Sequence, residues 1–180
     1  VANCHKIPQK KFLKELLSVD EITESLKRII TFIKSVNSSV KVLFTVSPVR
    51  HLKEGFVENT QSKSHLITAI HNVLNDDFAF YFPSYEIMMD ELRDYRFYAE
   101  DMIHPNKTAI HYIWERFVEA WFSESSEVTM KEVEVIQKGI LHRPFNENSE
   151  KHQQFLHNLA LKKEKLKAQY SFINFYKYDI

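Results

Sequence analysis

Asp101 and His104 are the residues of this chain best suited to chemistry, set three apart in the hexapeptide Asp101-Met-Ile-His104-Pro105-Asn106. An imidazole can take and return a proton near neutral pH, and a neighbouring carboxylate can fix its tautomer and stabilise the imidazolium. Pro105 disfavours helical geometry at His104, because its ring clashes with the preceding residue. Asn106 suits the N-cap of the amphipathic helix that follows. The spacing predicts an imidazole held in a constrained loop at a helix mouth, with an acid in reach. A histidine packed at a helix start beside an unrelated acid has the same pattern, and spacing alone does not separate the two. A metal centre would need two further ligands. His5 and His51 could supply them, but at no recognisable spacing, so no metal is expected.

Other reactive side chains read more weakly. Ser47 ends an apolar run but has Val46 and Pro48 as neighbours, where a nucleophile elbow needs glycines, so it reads as a turn residue. Arg50 and His51 follow that run, at the end of a strand where open α/β sheets bind ligands, and are candidate substrate contacts. Asn3 and His5, beside Cys4, are candidates for lining a pocket. From Ser84 to Asp101 six acids outnumber two arginines, a balance that disfavours a phosphate-rich substrate. Tyr85 is the candidate aromatic contact there, with Tyr95, Phe97 and Tyr98 nearby, although most aromatics at this density serve a core. Four lysines between Lys162 and Lys167 read as a solvated helix face, because no aromatic interleaves them.

The elements that must position these groups follow from hydrophobic periodicity. Ser18 and Glu21 form a capping-box pattern, and Ile22, Leu26, Ile29, Ile30 and Ile33 then share one helical face. Val40–Val46 is short and nearly all apolar, as in a strand buried on both faces of a parallel sheet. A loop from Val49 to Gln61 leads to a second helix, predicted to be capped by Ser62 with Leu66, Ile67 and Ile70 inward. Phe78–Phe82 reads as a second strand, and Ser84 as the cap of a short helix reaching Leu92. A long helix from Lys107 to Phe122 carries a stripe of Ile110, Ile113, Trp114, Phe117, Val118 and Trp121. A polar linker, Ser123–Ser126, then leads to two helices over Val128–Leu141 and Ser149–Gln169. The tail is expected to be a short strand or a docked extended segment.

This alternation is that of a layered α/β fold. Two strands alone make a marginal sheet, so further strands are expected to precede Val1. The 24 basic and 24 acidic residues balance, so no global field points to nucleic acid or an anionic membrane. No apolar run reaches the roughly 18 residues of a membrane span. One cysteine excludes an intrachain disulfide framework and favours a reducing, cytoplasmic setting. Only two glycines are present, so either the fold does not bind nucleotides or its glycine-rich part is absent from these residues, and no cofactor is expected.

The segments TVSPVRHLKEGFVENTQSK (45–63), YFPSYEIMMDELRDYRFYAEDMIHPN (81–106) and IWERF (113–117) resemble the GSCFA family, an SGNH-like bacterial group. VANCHK near the start and HRPFN at 142–146 resemble it too. The Asp-x-x-His-Pro element is similar to the last block of the GDSL/SGNH serine hydrolases, where the histidine is the general base and the aspartate supports it. The resemblance implies catalytic roles for Asp101 and His104 and cleavage of an ester, such as an O-acyl group on a carbohydrate. It implies an SGNH-like three-layer α/β/α body over 1–124 and a helical hairpin over 125–180. The Gly-Ser-Cys-Phe-Ala motif that names the family, whose serine resembles the nucleophile, does not occur here. The expectation is therefore the C-terminal part of a hydrolase, inactive by itself. A non-catalytic interaction domain that keeps the fold is the alternative.

Overall fold

The computed structural model describes residues 7–8, 11–53 and 55–175. Cys4 and the candidate contacts Asn3 and His5 lie outside the described residues. The fold is mixed α/β, in two compact units, Val1–Phe117 and Val118–Ile180.

The first unit opens with α1 (Val19–Val36), capped as its sequence requires. Ser18 Oγ accepts from the Glu21 N–H, and the Glu21 carboxylate accepts from the Ser18 N–H. Burial falls on Thr23 and Ile30, while Ile29 turns outward at 46% exposure. Strand β1 (Val42–Thr45) and strand β2 (Ala79–Phe82) form a two-stranded parallel sheet, with Val42 opposite Ala79 and Thr45 opposite Phe82. β1 is half-buried rather than covered on both faces, and its last residue, Thr45, is exposed.

The crossover helix α2 runs Phe56–His71, seven residues earlier than a Ser62 cap would allow. Its N-cap is Gly55, at φ 106°, a conformation that side chains other than glycine rarely adopt. A Cβ there would also sit 2.5 Å from Glu58 Oε2, which folds back over the helix start. Two of the loop residues expected before this helix, Phe56 and Val57, are thus its exposed first turn.

After β2 comes a single helical turn, α3 (Ser84–Glu86), running into a π-helical turn at Ile87–Glu91. The N-cap is Pro83, and Ser84 does other work. Its buried hydroxyl donates to the Val46 carbonyl at 2.8 Å and shares a hydrogen bond of 2.6 Å with Thr45 Oγ1. That ties the start of α3 to the end of β1, the edge from which the candidate loop leaves.

Helix α4 (Lys107–Trp121) begins at the candidate loop. Ala109 is fully buried, and Tyr112, Ile113 and Phe117 pack on a core of Phe82, Ile87, Met88, Leu92 and Tyr98. The expected stripe is only partly seated: Ile110, Trp114 and Trp121 are 57%, 46% and 39% exposed. The face that packs is that of Ala109, Tyr112, Ile113 and Phe117, with Ala109 the one residue of α4 that is buried.

In the second unit, α5 (Glu124–Leu141) starts at the segment expected to be a linker, with Ser123 Oγ accepting from the Ser126 N–H. α6 (Glu150–Gln169) is capped in the same way by Ser149. Ile136, Leu159 and Leu166 form the core between them, joined by Tyr170, Ile173 and Phe175 of the tail. The described part of the tail is therefore a docked segment. Among the described residues no helix is long and apolar enough to cross a membrane.

Candidate functional site

The site is built on a tight excursion of the chain from Tyr98 to Asn106. Tyr98 and Pro105 pair across its neck as an antiparallel bridge, and the Ala99 N–H donates to the His104 carbonyl at 2.8 Å. At its tip Met102 takes φ 59°, the left-handed region that costs an ordinary residue about 1–2 kcal/mol. The gain from this reversal is visible at Asp101. One carboxylate oxygen, Oδ1, accepts from the successive N–H groups of Ile103 and His104 at 2.9 and 3.0 Å. The other, Oδ2, stands 2.6 Å from His104 Nδ1. With both oxygens engaged, the Asp101 carboxyl is held down to about 2, first by the His104 N–H, then by the His104 ring and the Ile103 N–H.

A carboxylate at Nδ1 selects the tautomer with the proton on that nitrogen and leaves a lone pair at Nε2, the arrangement of a general base. His104 is 60% exposed and Asp101 46%, so the pair lies at the surface of its unit. The far side of the loop is fixed by the helix it precedes. Asn106 Oδ1 accepts from the Ala109 N–H at 3.1 Å, capping α4, while Asn106 Nδ2 donates to the Arg96 carbonyl at 2.7 Å.

Arg50 comes to this loop from the end of β1. Its backbone N–H donates to the Ile103 carbonyl and its Nη1 to the Met102 carbonyl, both at 3.2 Å. The guanidinium lies 4.1 Å from the Tyr98 ring centroid and 5.3 Å from that of Tyr95. The carbonyls it holds are those of the left-handed residue itself and of the residue after it. His51 does not join the pair: its N–H donates to Asn59 Oδ1 and the residue is exposed.

Tyr85 lies with Arg50 along a cleft of about 190 Å³, whose walls include Val49, Leu52, Asn59, Thr60 and Met89. Burial pushes the Tyr85 phenol up, so its hydroxyl stays a donor. Four of the acids of Ser84–Asp101, besides Asp101, have partners. Asp90 pairs with Arg93, Asp94 with Arg96, Glu86 with the Tyr81 hydroxyl, and Glu91 with the Tyr112 hydroxyl and Arg116.

Sequence reading missed Lys63, which lines the same cleft at 4% exposure. A lysine beside serines reads as solvated. The available signal was its place at i−3, i−4 and i−7 from the inward residues Leu66, Ile67 and Ile70. Ser47 is the turn residue expected, its hydroxyl accepting from the Val49 N–H at 3.2 Å. No group of three metal-ligating side chains occurs among the described residues.

Comparison with known proteins gives two matches. The model of the GSCFA family matches residues 1–117, and that of the GSCFA domain protein, C-terminal domain, matches residues 133–177. No curated protein and no solved structure matches the chain.

Proposed function

The chain belongs to the GSCFA family, and from that premise we propose that Asp101 and His104 are the base-and-support pair of an SGNH-like serine hydrolase acting on esters. The observation that carries the reading is the 2.6 Å contact between His104 Nδ1 and Asp101 Oδ2, on a loop over-determined by Arg50 and Asn106. The nucleophile is the serine of the family's Gly-Ser-Cys-Phe-Ala motif, which these 180 residues do not contain.

In this reaction His104 Nε2 takes the serine proton as the serine oxygen bonds to the ester carbonyl carbon. Asp101, ionised and hydrogen-bonded to Nδ1, stabilises the resulting imidazolium without taking its proton. The tetrahedral intermediate collapses with loss of the alcohol oxygen, which receives the proton from Nε2. Water then repeats the sequence on the acyl-enzyme, releasing the acid and restoring the serine. An alkoxide leaving group needs only this one proton, so esters, including O-acyl groups on carbohydrates, suit the pair. On this reading the parallel β1 and β2 belong to the three-layer body of that superfamily.

The test is His104→Ala in the full-length protein. Ester turnover falls by about 10²- to 10⁴-fold, the usual contribution of a positioned general base. Thermal stability changes little, since the ring is mostly exposed. Unchanged turnover would rule out Asp101 and His104 as the catalytic pair, and no ester cleavage by the full-length parent would leave the non-catalytic interaction domain.

A further inference from the structure

The cleft beside the dyad loop holds a charge that the proposed reaction does not use. Lys63 is buried to 4% exposure on the inner face of α2. Its ammonium donates to the Ser47 carbonyl at 2.6 Å and stands 5.9 Å from the Tyr85 ring centroid. An ammonium has three protons to donate, and taking it out of water is costly unless an anion compensates. That cost shows as a pKa pushed down by burial. Among the described residues no carboxylate pairs with Lys63 or with Arg50, the second cation of the same cleft. Of the acids nearby in sequence, Asp90, Asp94 and Glu91 pair with Arg93, Arg96 and Arg116, and Glu86 accepts from the Tyr81 hydroxyl. The start of α2 does not supply the attraction, because Glu58 already folds over Gly55.

We propose that this cleft is a recognition site for a small carboxylate, seated by the Lys63 ammonium and the Arg50 guanidinium with Tyr85 at its side. The rest of the lining argues for a carboxylate over phosphate. Pro48, Val49, Leu52, Phe56 and Met89 offer an apolar wall to a short carbon stem, which inorganic phosphate lacks. The volume of about 190 Å³ corresponds to roughly six waters' share of the liquid, enough for a short dicarboxylic chain. Resting on the hydrolase reading, the site makes the substrate the half-ester of a dicarboxylic acid. Its free carboxylate lies in the cleft, and Arg50 links that group to the loop carrying His104.

The experiment separates binding from turnover in the full-length protein. Succinate is titrated by calorimetry and by amide chemical shifts, with succinamide and inorganic phosphate as controls. Succinate is expected to bind and to shift Thr60, Lys63 and Tyr85, succinamide to bind at least tenfold more weakly, and phosphate not to compete. Lys63→Met, which keeps the stem and removes the charge, weakens succinate at least tenfold. His104→Ala leaves succinate affinity in place. An aryl hemisuccinate is cleaved with kcat/KM at least tenfold above the matching neutral methyl succinate. Equal affinity for succinamide, tighter binding of phosphate, or an unchanged Kd in folded Lys63→Met would each overturn the carboxylate site. Succinate binding with no cleavage of either ester would uphold the site and overturn the hydrolase reading.

Discussion

At Asp101 two jobs are done by one carboxylate: Oδ1 closes the turn through two N–H groups, and Oδ2 orients the imidazole. This ties the loop's geometry to the acid's ionisation. Its folded pKa, about 2, lies below the ordinary carboxylate value near 3.9. The stabilisation is therefore fully present above about pH 4 and is lost as pH falls toward 2. We expect carboxyl carbon shifts of Asp101 to titrate near pH 2. We also expect Asp101→Asn to be less stable than the parent at pH 5, with the difference shrinking as the pH drops through that window. An Asp101 midpoint near 4 would show that the three contacts do not persist in solution. The acid limb of any pH–rate profile above pH 4 does not arise from this residue.

At the scale of elements, the site is a meeting of loop ends. The β1–α2 connection supplies Arg50, the stretch before α4 supplies the dyad, and Asn106 starts the helix. Arg50 holds the carbonyl of the strained residue Met102 and that of Ile103 after it, so it acts on His104 through the turn. Arg50→Ala keeps the backbone bond to Ile103 but loses the charged one to Met102, a bond of a class worth about 1.5–3 kcal/mol. The expected result is faster amide exchange at Met102–His104 and a kcat lowered about tenfold. Arg50→Lys should recover little, because an ammonium cannot both reach the carbonyl and lie flat on Tyr98. Exchange rates equal to the parent's would mean that the bridge and Asp101 suffice to hold the loop. Periodicity placed α1 and α6 well because the Ser18 and Ser149 caps act within one turn, while α5 begins at Glu124, inside the expected linker. It failed at α2, where a glycine cap and an exposed Phe56-Val57 turn carry no amphipathic signal.

For the whole molecule, the two compact units have separate cores, one around Met88 and one around Ile136. Ile136 is 1% exposed between α5 and α6, so Ile136→Ala should cost about 2–5 kcal/mol in the second unit, read by chemical denaturation. The Asp101 titration should stay as in the parent, because Ile136 lies in the core of the second unit and Asp101 belongs to the first. The pairing of Asp101 with His104 was legible in the sequence because a separation of three residues, a following proline and a helix-capping asparagine act through local sterics and short-range hydrogen bonds. The same holds for the Ser18 cap and the two strand segments. The clamp by Arg50, reaching across 52 residues, was decided only by the fold, as were the burial of Lys63 and the outward turn of Trp114. Such contacts depend on which faces pack together, and that is decided between segments distant in sequence rather than by the pattern of any one segment.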